Sequence, residues 1–495
     1  MPVPIGSPHH FQAQPKKLWS ILLCALKTSR QPPLAVIAVC ARRAPAVFIA
    51  GLLAMSALLS QGVQAQYADS QSQDAHSQTQ DASGQPLERT GAAMTGPDSA
   101  VVIDMREPAP SDPVEPEPAL EDSVLVQEYR QAILAAERRD GAYAATLPEQ
   151  LLGLATALQE LQRHEEASEA LKRGVHLSRI NSGLYSAEQI ALLESEIESL
   201  RALGDYQRVD ERQSYLYRVQ QAAIDDQREL SDALMRQAQW QREAYLLGLG
   251  EESERATRLL LMWDLYRMAL RARADAFGQE SLALREPLLG MVETQYLVSR
   301  NAFFAAASPG SGADVRLTSM NIESYRRGET VLKALVELSE TNNMSGLRRA
   351  SDLVALGDWA LWSGRREAAS QYYADTLALL DELENGEAIR EQLFGVPTLL
   401  PTFEDLHPFP APRWDDQGDI ALGFSVSEGG RTDDVERLAR ADVQESSVQN
   451  ALYRALRGAF FRPRFEDGKP VKTQGMIWSW AAPAVEGKVR LWSDM

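Results

Sequence analysis

The chain has 495 residues, a formal charge of −19 and two cysteines, Cys24 and Cys40. Residues 1–65 contribute +6 through six Lys/Arg and no acid, which leaves −25 on residues 66–495. A field of that sign disfavours nucleic acid and anionic lipid, both of which need basic surface.

Ala44 to Leu59 is an apolar run preceded by Arg42-Arg43 and followed by Val63-Gln64-Ala65. A basic n-region, a short apolar stretch and small residues before a cut read as a secretory signal peptide over residues 1–65, cleaved after Ala65. The alternative is an uncleaved anchor, since crossing a bilayer takes roughly 17–25 apolar residues. Residues 1–40 are basic and lack Asp and Glu, so either the n-region is very long or the true start lies downstream of Met1. Both cysteines precede the cut. The exported chain then has no thiol for disulfides, thiolate catalysis or cysteine-ligated zinc.

Residues 66–120 are rich in Gln, Ser, Asp and Pro and end in Pro113-Val-Glu-Pro-Glu-Pro118. Such a stretch buries too little apolar area to offset chain entropy and reads as a disordered spacer. From 121 to 394 the composition is helical, and a repeat is visible. Leu151, Leu154, Ala155 and Leu158 make one helix face; Ala167, Leu171 and Gly174 make the face of a second. Leu193, Ile197 and Leu200 belong to the next unit, whose turn is Gly204-Asp205-Tyr206. Gly141 and Gly183 are 42 residues apart, each nine residues after a small residue, and Gly278 follows 95 further on. A longer helical insertion therefore interrupts the array. The last unit carries Leu353, Leu356-Gly357, Ala360, Gly364, Ala369, Tyr373 and Thr376, and 306–320 reads as a loop.

These units resemble tetratricopeptide (TPR) repeats of the longer, kinesin-light-chain type. The resemblance implies stacked helical hairpins with an adaptable groove. Trp359, Trp362, Tyr372 and Tyr373 either line that groove or pack within a hairpin.

Residues 395–417 hold Pro397, Pro401, Pro408, Pro410 and Pro412, so helix stops there and a linker follows. Beyond it, Ile420, Leu422, Phe424 and Val426 alternate with Ala421, Gly423, Ser425 and Ser427, which predicts a strand with one buried face. Glu428-Gly429-Gly430 is a hairpin turn and Arg431–Leu438 a second strand. Val448, Ala451, Leu452, Ala455 and Leu456 share a helix face behind an N-cap at Ser446 or Ser447. Val471–Trp480 is the last strand. One helix on an antiparallel sheet makes an α+β layer over 418–482, with 483–495 as a tail.

Ala455-Leu456, Phe461-Arg462-Pro463 and Asp467-Gly468-Lys469-Pro470-Val471 are similar to the C-terminal domain of the TonB family of energy transducers. The family often has tryptophan where Ala459 stands. Overall the fold expected is mostly α: a TPR-like α-solenoid of helical hairpins followed by a small TonB-like α+β domain. The second resemblance implies docking of protein partners by β-strand addition at the sheet edge. It places those partners in the cell envelope, outer-membrane receptors among them, and the protein in the periplasm. The residues expected to contact a partner are Lys472, Gln474, Met476, Trp478 and Trp480, with Tyr372 and Tyr373 on the helical array. The alternative is a membrane-anchored transducer serving nutrient or siderophore transport, facing the periplasm from the inner membrane. It requires Ala44–Leu59 to be retained, and that run lacks the histidine of the family's anchor.

No catalytic or metal-ligating pattern is present in the sequence. His9, His10, His76, His164, His176 and His407 are scattered, and Gly248-Leu-Gly250 has neither a third glycine nor a preceding strand. Glu165-Glu166 and Asp415-Asp416 read as solvated charges. No enzyme activity and no cofactor are expected; a hydrolase hidden in 210–350 would need a polar pocket that the sequence does not assemble.

Overall fold

The computed structural model describes residues 124–305, 312–438 and 447–481. The signal segment, its cut after Ala65, the 66–120 spacer and the 483–495 tail lie outside them. The described part is mostly helical, with a small antiparallel sheet near its C-terminus.

The helices run in antiparallel succession. They are α1 (Val124–Asp140), α2 (Leu147–Glu160), α3 (His164–Ser182), α4 (Gln189–Ala202), α5 (Tyr206–Ala223), α6 (Gln227–Leu246) and α7 (Glu252–Phe277). There follow α8 (Arg285–Ala305), α9 (Gly312–Ile322), α10 (Ser324–Thr341), α11 (Gly346–Trp362), α12 (Arg366–Asp381) and α13 (Gly386–Phe394). The expected loop over 306–320 is shorter than its composition suggested, because α9 already begins at Gly312; residues 306–311 lie outside the description.

Two connector types recur. After α1, α3 and α7 the chain turns through Gly141, Gly183 and Gly278, all with positive φ (+87°, +99° and +91°). Each glycine donates its N–H to the carbonyl four residues back, on Glu137, Arg179 and Ala274. The hairpin turns use a different device. Gln162, Gly204, Gly248, Asn343 and Gly364 are left-handed, and the N–H of the next residue reaches five residues back in every case, as Asp205 does to the Leu200 carbonyl at 3.0 Å. That is the Schellman closure, which pairs carbonyls a helix end would otherwise leave open. Gly141/Gly183 and Gln162/Gly204 each recur at 42 residues, so the spacing read in the sequence is a spacing of identical turns.

Small residues set the distance between neighbouring helices. Leu192 of α4 packs where Gly174 has no side chain. Tyrosine or tryptophan rings cover Gly153, Gly290, Gly328 and Gly357; a Cβ on Gly357 would sit 2.3 Å from the ring of Tyr373. Leu147, Leu151, Ala155, Leu158, Ala167, Leu171 and Leu192 belong to one apolar core.

The terminal layer is a three-stranded sheet in the order β3–β2–β7, with β2 (Ile420–Val426), β3 (Thr432–Arg437) and β7 (Thr473–Trp480) all antiparallel. Leu422 pairs with Trp478 and Ile420 with Trp480. Helix α14 (Ser447–Arg457) lays Leu452, Ala455 and Leu456 on Ile420, Leu422, Phe424 and Val426. Strand β2 is buried along both faces rather than one. Its second face carries the small residues Ala421, Gly423 and Ser425, and the side chains of Glu436 and Leu438 fold over Gly423.

The proline segment does not behave as a free linker. Residues 395–417 form a strap pinned to both sides. Strand β1 (Thr398–Leu400) pairs with β4 (Phe460–Arg462), and Leu400, Leu406 and Phe409 are buried. Arg300 Nη1 donates to the Leu406 carbonyl at 2.6 Å, and Trp480 Nε1 donates to the Pro410 carbonyl at 2.8 Å. Proline composition forbids helix, but it does not forbid burial. Two further short strands, β5 (Arg464–Glu466) and β6 (Lys469–Val471), form a hairpin whose Phe465 ring lies 4.8 Å from Phe394.

Beneath the strap, Arg462 Nη1 reaches Asp358 Oδ2 of α11 at 2.9 Å, with both side chains almost fully buried. Tyr373 donates its hydroxyl to Asp358 Oδ1 at 2.9 Å, and Arg462 Nη2 donates to Thr398 Oγ1 at 2.9 Å. Burial pushes the Asp358 carboxyl up, and the Arg462 charge and the Tyr373 hydroxyl pull it back. Removing one member of such a pair strands the other in a dry interior. Arg462→Met is therefore expected to cost about 3–5 kcal/mol in chemical denaturation. Asp358→Leu/Arg462→Met should lose clearly less than the two single variants added together. Gly357→Ala, which drives a methyl into Tyr373, should cost roughly 1–3 kcal/mol in the same assay.

Candidate functional site

Among the described residues β7 is an edge strand, with β2 as its one partner in the sheet. At its end the edge is closed: Ser479 and Arg413 exchange backbone hydrogen bonds of 3.0 and 2.9 Å. Those two bonds show that the N–H and C=O of Ser479 point away from β2. Backbone groups along a strand alternate in direction, so Ile477, two residues earlier, also points its N–H and C=O outward. Among the described residues no strand pairs with it there.

Beside this stretch lies a groove of about 450 Å³ lined by Val396, Pro397, Trp414, Asp415, Asp416, Thr473, Gly475, Met476 and Ile477. The strap builds both walls. Val396 and Trp414 are 53% and 60% exposed, high values for large apolar side chains. Trp414 stands edge-on to the buried Trp478 with ring centroids 5.5 Å apart. Asp415 Oδ1 accepts from the Ser479 hydroxyl at 3.0 Å and from the Gln417 N–H at 2.9 Å, which fixes the loop 413–418 over the strand end. Gly418 N–H in turn donates to the Ser479 hydroxyl at 3.0 Å. The groove thus combines an open backbone edge, an exposed indole and two carboxylates.

The residues expected from sequence to meet a partner divide sharply. Lys472 and Gln474 are exposed, and Lys472 Nζ pairs with Asp434 at 3.1 Å. Trp478 and Trp480 are core residues packed against Phe409, and Met476 is buried with them. A partner cannot reach these rings without opening the layer, so their role is to hold the strand rather than to present a surface. Tyr373 is buried on Asp358 and Phe394. Tyr372 is half-buried; it donates to Glu329 Oε1 at 2.6 Å, and Lys333 pairs with the same carboxylate at 3.2 Å. Burial works against the Glu329 carboxylate, but the Tyr372, Lys333 and Tyr325 contacts outweigh it and hold its pKa below the usual range. That cluster staples α10 to α12. The groove residues Val396, Trp414, Asp415 and Asp416 were not legible as a set, because the strap meets β7 only in the fold. An exposed tryptophan beside two aspartates in a proline-rich stretch was the one available signal.

No protein-family model matches the chain. No curated protein sequence matches it either. Among solved structures, BtubC (BKLC) from P. vanneervenii is similar at a TM-score of 0.31 and 11% identity, over 54% of this chain and 88% of that one. A circular tandem repeat protein with a novel repeat topology is similar at a TM-score of 0.30 and 16% identity, over 54% of this chain and 67% of the other. Scores this low carry no inference about this chain.

Within the strap, His407 is a half-buried titratable side chain. The Pro401 carbonyl accepts from His407 Nε2 at 2.7 Å, so that nitrogen bears the proton. Burial pushes the His407 pKa below its ordinary value; the Pro401 hydrogen bond opposes this, Arg300 adds to it, and Glu404 and Asp405 oppose it. A lowered folded pKa means that the unfolded chain binds the proton more tightly. The stability involved is present above about pH 6.5 and is lost as pH falls through the folded value. Between pH 7 and pH 5 the denaturation midpoint of the natural chain should therefore fall further than that of His407→Gln.

Proposed function

We propose that the protein is a non-catalytic interaction protein of the cell envelope, exported to the periplasm after cleavage behind Ala65. In this reading the helical hairpins are TPR-like repeats. The terminal layer is a TonB-like domain that receives an extended segment of a protein partner along β7. The observation that carries the reading is the outward-facing backbone of Ile477, which no strand among the described residues pairs and which the strap groove walls. Strand addition draws affinity from main-chain hydrogen bonds and selectivity from side-chain pockets beside the edge. The Val396–Trp414 groove is such a pocket. The motif residues Phe461 and Arg462 are buried and seat β4 against β1 of the strap.

Proline at an outward-facing edge position removes the donor that a partner needs while leaving the β2 ladder intact. Ile477→Pro should therefore abolish capture of envelope partners by the immobilised full chain, as deletion of 418–495 should, with its circular dichroism spectrum unchanged. Undiminished capture by Ile477→Pro would refute the edge reading. N-terminal sequencing of the exported protein should find Gln66 first. A retained Ala44–Leu59 segment would instead favour the anchored transducer.

A further inference from the structure

We propose that Arg366 and Arg431 form a site for a small phosphate anion, either inorganic phosphate or a soluble phosphate monoester, which bridges the start of α12 to the turn between β2 and β3. The site is separate from the β7 edge and does not depend on how that edge is used.

The turn holds one of the two cations firmly. Ser427 N–H donates to the Arg431 carbonyl at 2.9 Å, and the Ser427 hydroxyl accepts from the Arg431 N–H at 3.1 Å. The carbonyl of Gly430, whose φ is +74°, accepts from the Phe461 N–H at 2.8 Å. On this fixed backbone the Arg431 guanidinium lies over the Phe460 ring, 3.6 Å from its centre. Arg366 reaches the same turn from the helical array. Its Nη2 lies 3.8 Å from the point where a Cβ on Gly429 would stand.

Among the described residues neither guanidinium has a carboxylate partner, and both side chains are exposed. That is unusual in this chain. With 69 Asp/Glu against 50 Lys/Arg, acid partners are plentiful. Other arginines take them: Arg242 pairs with Glu293, Arg258 with Asp210 and Arg285 with Asp352. Here two like charges meet instead. Burial and the Arg366 charge push the Arg431 pKa below its ordinary value. An anion seated between the two turns that repulsion into two attractions.

The donor set favours phosphate. A guanidinium presents parallel N–H groups to an oxyanion, and phosphate has enough oxygens to meet two arginines at once. Glu367 and Glu428 are exposed and adjoin the site in sequence. An extended acidic peptide would bring further negative charge against them, whereas a compact anion does not. The charge of −19 disfavours a phosphate presented on an anionic membrane. Bound phosphate would clamp the terminal layer to α12, on the far side of Phe460 from the Asp358–Arg462 pair in sequence as well as in partners.

The test is calorimetric titration of the full chain with inorganic phosphate, in chloride buffer of matched ionic strength at about pH 8. Saturable binding with one site per chain is expected. Arg366→Gln and Arg431→Gln should each weaken it about tenfold or more, since each removes charge-assisted hydrogen bonds. Phosphate should also raise the thermal midpoint of the natural chain more than that of Arg366→Gln/Arg431→Gln, in which only the general salting effect is left. In chloride alone, Arg366→Gln should leave the midpoint unchanged or raised, because it relieves the repulsion. A lowered midpoint there would give Arg366 a structural role and overturn the proposal. Binding undiminished in both single variants would place the ion elsewhere and overturn it too. Titration with glycerol phosphate separates the two sources: tighter binding than inorganic phosphate assigns the monoester, and weaker binding assigns the free ion. Saturable binding of neither probe would refute the site.

Discussion

The pair between Asp358 and Arg462 is the constraint on which the arrangement of this molecule depends. It joins the last full helical hairpin to the first strand after α14, across a sequence separation of 104 residues, at 2.9 Å and almost without solvent. Two charges taken out of water are tolerated only where further hydrogen bonds complete them. Tyr373 and Thr398 supply those bonds from α12 and from the strap. One ion pair therefore registers four elements at once, and aromatic packing fills in around it. The Tyr296 ring meets Trp359 at 4.8 Å, and Trp362 meets Phe460 at 5.3 Å. The terminal sheet is thereby fixed against the helical hairpins, and the strap between them is held where it can wall a groove.

Much of the helical part was legible because its repeat is a repeat of turns. Gly141, Gly183 and Gly278 announce one connector, and Gly204 and Gly364 announce the other, since these turns need left-handed backbone that glycine adopts without strain. The same turn at Gln162 and Asn343 was not visible, because those residues pay the conformational cost and leave no compositional mark. The hairpin strands and the helix of the terminal layer also lay in plain view, with the inward row Ile420, Leu422, Phe424 and Val426 matching the apolar face of α14.

What composition could not disclose is which surfaces meet. Five prolines in 395–417 mark the end of helix, and nothing in them distinguishes a spacer from a packed strap. Burial there comes from Leu400, Leu406 and Phe409, which are apolar residues without a period. Likewise the row Met476, Trp478 and Trp480 has the look of a contact surface, yet alternation alone does not say which face is covered. The groove brings together residues 396–397, 414–416 and 473–477, three segments that become neighbours only after the ion pair and the strap are in place.

An open edge is a hazard to a soluble protein, because any exposed strand can pair with it. Here the exposure is narrow. The 413–418 loop closes the Ser479 end, and the register of β2 with β7 breaks between Phe424 and Val426, opposite Gly475, whose φ is +68°. Between those two stops the straight edge amounts to little more than the peptide groups about Ile477. Lys472, a charge of the kind that discourages strand stacking, stands just past the irregular end. Such a short window is too brief to nucleate sheet growth, but it is long enough to align a few residues of an extended segment. The walls beside it are an indole, a valine and two carboxylates delivered by the strap. The buried Asp358–Arg462 pair holds the strap through Thr398, so loosening it would free the segment that walls the groove.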